Sequence, residues 1–211
     1  MMGREVEAVI LLHGLWMNGL VMQYLSYVLR DEGFAAQTFT YRSIRDALGE
    51  HLVQLGRRVA SLDAHRIHLV GHSTGGLVAL RYLQRDPDER IGRAVLLGAP
   101  VAGCRAAATI SDRPSGDFFL GKSLSIWREP FDVTLDPRFE VGVIAGTLPL
   151  GLGRLFVDLP EPNDGVVCVD ETRLPGMRDH LELPSGHTTM LASPQVARQT
   201  AAFLRTGAFE R

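Results

Sequence analysis

The sequence predicts an α/β fold with a doubly wound, mostly parallel sheet of about six strands. Three observations predict it. Short apolar runs alternate with segments whose apolar side chains recur at helical spacing. The runs are continuous rather than alternating in character, as strands covered by helices on both faces require. In the middle of the chain, Ile67-His68-Leu69-Val70 leads through Gly71-His72-Ser73-Thr74-Gly75-Gly76 into the helical pattern Leu77 to Leu83. A serine held between glycines, with a strand before it and a helix after it, marks a sharp turn that lifts the hydroxyl clear of the sheet.

In chain order, Val6 to Leu12 reads as the first strand, broken by His13-Gly14-Leu15-Trp16-Met17-Asn18-Gly19. Leu20 to Arg30 reads as a helix with Leu20, Tyr24, Tyr27 and Val28 on one side, ended by Gly33. Ala36 to Tyr41 is the second strand. Ile44 to Leu62 is a helix, because Ile44, Leu48, Leu52, Leu55 and Val59 fall on one face. The central strand is followed by a helix from Ser73 to Arg85, stopped by Pro87. Ala94 to Leu97, Val141 to Ala145 and Leu181 to Leu183 supply the remaining strands, and Val196 to Leu204 a closing helix. Val101 to Pro137 is too long for a simple connection and reads as a short cover. With no repeat and no linker, residues 1–211 form a single domain.

The 211 residues are enough for one substantial core, and 45% hydrophobic with 22% charged residues is ordinary for a globular protein. A formal net charge of -2 and the lack of a basic stripe give no reason to expect nucleic acid as a partner. No apolar run reaches the length of a membrane span, and the first strand starts too early to leave room for a signal peptide, so the expected compartment is the cytoplasm. Cys104 and Cys168 stand far apart, in no metal-ligand pattern, and read as buried thiols.

If Ser73 is a nucleophile, it needs a base, a group to orient that base, and donors for an oxyanion. His187, in the loop Pro184-Ser185-Gly186-His187 between the last strand and the last helix, is the best-placed base. His13 and His72 sit where the backbone rather than the ring is expected to act. His51, His65, His68 and His180 read as surface or supporting histidines. For the acid, Asp164 in Asn163-Asp164-Gly165-Val166-Val167 stands out, either reaching back to the base or closing an Asx turn. Asp158, Glu161 and Asp170 are nearby competitors. The amides of Leu15 and Thr74 are the expected oxyanion donors.

These motifs, together with Leu97-Gly98-Ala99-Pro100, resemble those of the α/β-hydrolase superfamily, and more narrowly of the small bacterial lipases and carboxylesterases. The resemblance spans nearly the whole chain. It implies a Ser73-Asp164-His187 triad, no cofactor, and hydrolysis of a small-molecule ester through an acyl-enzyme. Two departures accompany it: the family's N-terminal antiparallel strands look absent, and the cover is short. Short or medium acyl chains are therefore expected, and Leu15, Trp16, Met17, Phe118, Phe119, Leu148, Leu150 and Met190 are candidates either to wall the acyl slot or to pack in the core. Some similar lipases hold a structural calcium, but no second carboxylate here is placed to claim one. A thioesterase would use the same triad. A binding protein on this scaffold would have lost a triad member, and all three are present.

Overall fold

The computed structural model describes residues 6–85, 87–111, 120–123, 126, 135–150 and 159–211, with no side-chain description for Ile110. Six strands form one sheet: β1 (Glu7–Leu12), β2 (Ala35–Phe39), β3 (Arg66–His72), β4 (Ile91–Leu97), β5 (Val141–Gly146) and β6 (Asp179–Leu183). Their order across the sheet is β2-β1-β3-β4-β5-β6, and every neighbouring pair is parallel. The chain thus runs from β1 outward to β2, then returns to the other side of β1 to place β3. In open parallel sheets the crevice at such a reversal, beside the carboxyl ends of the strands, is where sites form.

The helices cover both faces. α2 (Leu48–Ala60) and α3 (Thr74–Arg85) pack on one side with Ile10, Leu12, Leu69 and Leu96. On the other, α1 (Gln23–Asp31) and α5 (Pro194–Thr206) enclose Val9, Leu11, Val70, Val95 and Ile144. Successive residues of β1 feed opposite cores, so a strand of this sheet must be apolar throughout. The closing helix has the termini its sequence calls for. The Ser193 hydroxyl accepts the Val196 amide, Pro194 opens the first turn, and Gly207 ends it at φ 78°. A short helix, α4 (Arg105–Ser111), begins the connection after β4.

The first helix turns a different face to the core than its sequence predicts. Leu20 and Tyr27 are 73% and 69% exposed, while Met22, Leu25, Ser26 and Leu29 are buried. A 3₁₀ turn (Gly19–Met22) precedes α1. Both faces carry apolar residues at helical spacing, and the sheet takes the aliphatic set, which brings no phenolic hydroxyl into the core needing a partner. Of the histidines read as surface or supporting, His51 and His68 are fully buried and so fall among the supporting ones. His68 Nδ1 accepts the Arg93 amide at 2.9 Å, and its Nε2 lies 3.5 Å from Glu7.

Phe118, Phe119 and Trp127 of the expected cover, and Asp158, lie outside the described residues. Leu120 and Ile126, within the same connection, are buried. Among the described residues no helix is long and apolar enough to cross a membrane.

Candidate active site

The carboxyl ends of β1, β3, β4, β5 and β6 lie along one edge of the sheet, and the residues singled out in the sequence follow those strands. Ser73 comes directly after β3 and before α3, with φ 53°. Only glycine takes this left-handed conformation freely, so a serine held there marks a strained turn. The glycines make the turn possible by close approach. A Cβ on Gly71 would stand 2.5 Å from the carbonyl oxygen of Gly75, and one on Gly75 would stand 2.5 Å from the carbonyl oxygen of His13. The Ser73 amide donates to the Leu97 carbonyl at 2.9 Å, which ties the turn to the end of β4.

Asp164 and His187 meet on that same strand end. His187 Nδ1 and Asp164 Oδ2 are 2.8 Å apart, with Asp164 at 1% and His187 at 6% exposure. The backbone repeats the connection, since the His187 amide donates to the Asp164 carbonyl at 2.8 Å. The other carboxylate oxygen, Oδ1, accepts the amides of Val166 (3.0 Å) and Val167 (2.7 Å). Asp164 thus closes an Asx turn with one carboxylate oxygen and meets the His187 imidazole with the other. Of the competitors, Asp170 is engaged by the Arg105 guanidinium at 3.0 and 2.8 Å on the surface, and Glu161 is exposed.

Gly98 locates the pair relative to the turn. It follows Leu97, whose carbonyl holds Ser73, and adopts φ +53°. A Cβ there would meet Asp164 Oδ2 at 2.9 Å, Met190 Cε at 3.2 Å and His187 Nδ1 at 3.3 Å. No side chain fits between β4 and the carboxylate–imidazole pair. Met190, expected as a pocket wall, lies in the core behind that pair at 1% exposure. Its thioether fills the space that Gly98 and Gly146 leave open.

The loop after β1 closes the site from the other side. The ring of His13 donates from Nδ1 to the Gly14 carbonyl at 2.9 Å and accepts the Tyr41 amide at Nε2, 3.3 Å away. Tyr41 returns its hydroxyl to the His13 carbonyl at 2.7 Å and stacks on the imidazole with centroids 4.4 Å apart. The expectation that His13 acts only through its backbone is thus corrected: its ring clamps the loop. Leu15 is half-buried, and the next residue, Trp16, takes φ 57°, its amide donating to Ser43 Oγ at 3.2 Å. Trp16 is 57% exposed, whereas Met17 is half-buried and packs against the core. Leu148 and Leu150 are also exposed, and Leu150 lies against Gly186 in the loop that carries His187.

His72 likewise uses its ring, which bonds the His187 carbonyl at 2.8 Å. Burial, and secondarily the neighbouring His187 imidazole, hold its pKa down from 6.5 to about 3. Burial also lowers His68 to about 4. Both rings are neutral in the folded protein at pH values where the unfolded chain protonates them. Each histidine is therefore expected to reduce stability as pH falls from 6.5 toward its folded pKa, by about 1.4 kcal/mol per pH unit. Surface carboxylates such as Asp88 and Asp170, lowered by their arginine partners, add to the loss only at and below their ordinary value of 3.8. Urea unfolding between pH 7 and pH 4.5 checks this. Stability that stays flat over that range contradicts it.

Residues 9–201 match the model of the Alpha/beta hydrolase family. No curated protein matches the chain. Among solved structures, the mature lipase BlEst2 of Bacillus licheniformis superposes with a TM-score of 0.69 at 15% identity, covering 97% of this chain and 93% of that one. The esterase EaEST of Exiguobacterium antarcticum gives 0.69 at 18% identity, covering 96% and 93%. The metagenomic carboxyl esterase MGS0156 gives 0.68 at 16% identity, covering 90% and 67%. At such identities the superpositions speak to fold, and the match over residues 9–201 speaks to descent. With the six-stranded parallel sheet described above and a family match that spans most of its length, this chain belongs to the Alpha/beta hydrolase family.

Proposed function

We propose that the protein is a serine hydrolase that cleaves carboxylic esters of short to medium acyl chains. The observation that carries the reading is the meeting at Gly98. The turn holding Ser73 is bonded to Leu97, and the Asp164–His187 pair packs against the next residue. In this reading Ser73 Oγ attacks the ester carbonyl as His187 Nε2 takes its proton. Asp164 holds Nδ1–H, and so the tautomer that leaves Nε2 able to accept. The amides of Leu15 and Thr74 receive the oxyanion, the latter at the N-terminus of α3, where the helix dipole favours negative charge. His187 then protonates the leaving alcohol. Water repeats the sequence on the acyl-enzyme, releasing the acid and restoring Ser73.

The test is turnover of p-nitrophenyl esters and acyl-CoA thioesters of graded chain length by the purified protein. Ester hydrolysis falling off toward long chains supports the reading. Hydrolysis confined to acyl-CoA would make the protein a thioesterase, and none with either series would overturn the assignment.

Trp16 gives this reading a second test, because it is exposed at the oxyanion loop. As a slot wall, its loss in Trp16→Ala is expected to change chain-length preference in kcat/KM, about tenfold for each 1.4 kcal/mol of lost contact. A preference profile identical to the wild type would remove Trp16 from the slot.

A further inference from the structure

The residue before the nucleophile makes a contact that the triad does not need. His72 Nε2 lies 2.8 Å from the main-chain oxygen of His187, across 115 positions of sequence. A carbonyl oxygen only accepts, so Nε2 carries the proton and Nδ1 of the neutral ring is a bare acceptor. That acceptor has no hydrogen-bond partner although the residue is 0% exposed. It points at the oxyanion loop, where a Cβ on Gly14 would stand 3.0 Å away. The ring also lies against the His187 imidazole, with centroids 4.7 Å apart and planes at 48°.

A buried acceptor without a partner is destabilising, a cost that an apolar side chain of similar size would avoid. Stability therefore does not account for an imidazole here. Its one hydrogen bond joins the covalent neighbour of Ser73 to the backbone of the proposed base. The Asp164 contacts fix the imidazole from its Nδ1 side and from its amide. They do not tie it to the turn that holds Ser73.

We infer that His72 is a positioning residue, whose Nε2–H bond to the His187 carbonyl and ring contact with the His187 imidazole hold the base at the distance and angle that Ser73 requires. This rests on the reading of His187 as general base. Because His72 stays neutral down to about pH 3, the bridge does not switch over the working range of an imidazole base, and it sets geometry alone.

The experiment compares His72→Leu, His72→Gln and His72→Asn with the wild type and with His187→Ala, on a p-nitrophenyl ester, together with the Tm of each. The Gln amide reaches where Nε2 stands, whereas the Asn amide reaches only as far as Nδ1. A misplacement on the order of 1 Å costs about a hundredfold in rate. His72→Leu and His72→Asn are thus expected to lose about that much kcat at unchanged KM, and His72→Gln to recover most of it. In a His187→Ala background, His72→Leu should cost nothing more, since the bridge acts only through the base. The inference is overturned if His72→Leu keeps its kcat, if Gln recovers no more than Asn, or if the loss is the same in both backgrounds. Should His72→Leu not fold, the Gln–Asn comparison decides by itself. If His187→Ala retains full activity, the base assignment fails and this inference with it. A dead His187→Ala beside an active His72→Leu overturns the positioning role alone.

Discussion

Ser73→Ala is expected to leave a folded protein whose ester hydrolysis is lower by about four to six powers of ten, the scale of removing a triad nucleophile. The fold should tolerate it. Ser73 is buried at 8% exposure, and its structural bond runs from the backbone amide to Leu97, which alanine keeps. The left-handed φ of 53° is no easier for alanine than for serine, so the change in stability should be small beside the change in rate. A fluorophosphonate probe should label Ser73 in the wild type and nothing in the variant. Labelling that persists in Ser73→Ala would assign the nucleophile elsewhere.

Asp164→Asn carries the second large effect, about four powers of ten in kcat, and its cause is a tautomer. An asparagine amide can keep Oδ1 on the Val166 and Val167 amides, so the Asx turn survives. The group then facing His187 Nδ1 is an N–H donor. The imidazole must accept there, its proton moves to Nε2, and Nε2 no longer takes a proton from Ser73. Asp170→Asn breaks a surface ion pair with Arg105 whose carboxylate side chain is 63% exposed, and should change activity little. Equal losses in the two variants would mean that Asp164 is not the acid.

Much of this was legible from the residues alone, for a reason of geometry. A parallel sheet covered on both faces needs short apolar strands between amphipathic helices, and each of the six predicted strands is present within a few residues of its predicted bounds. The turn around Ser73 was equally legible, because Gly71 and Gly75 stand where a Cβ would strike backbone. The carboxylate that meets His187 was harder to read. Asp158, Glu161, Asp164 and Asp170 lie close together in sequence, and choosing among them requires knowing which carboxylate passes beside Gly98.

Other features had no one-dimensional signal. Both sides of α1 carry apolar residues at helical spacing, and only the sheet decides that Met22, Leu25 and Leu29 go inside while Leu20 and Tyr27 stay out. Met190 looks like any pocket methionine until the crowded space behind the Asp164–His187 pair claims it. The rings of His13 and His72 were expected to be idle, yet each finds its partner across the fold, at Tyr41 and at His187. The sequence by itself determined the layers, the order of elements and the strained serine, because these depend on local periodicity and on where a Cβ can be accommodated. Only the tertiary structure decided which carboxylate meets the imidazole and which histidines bridge the loops. Those pairings join residues after different strands, and the distances between them exist only once the parallel sheet has brought its carboxyl ends to one edge.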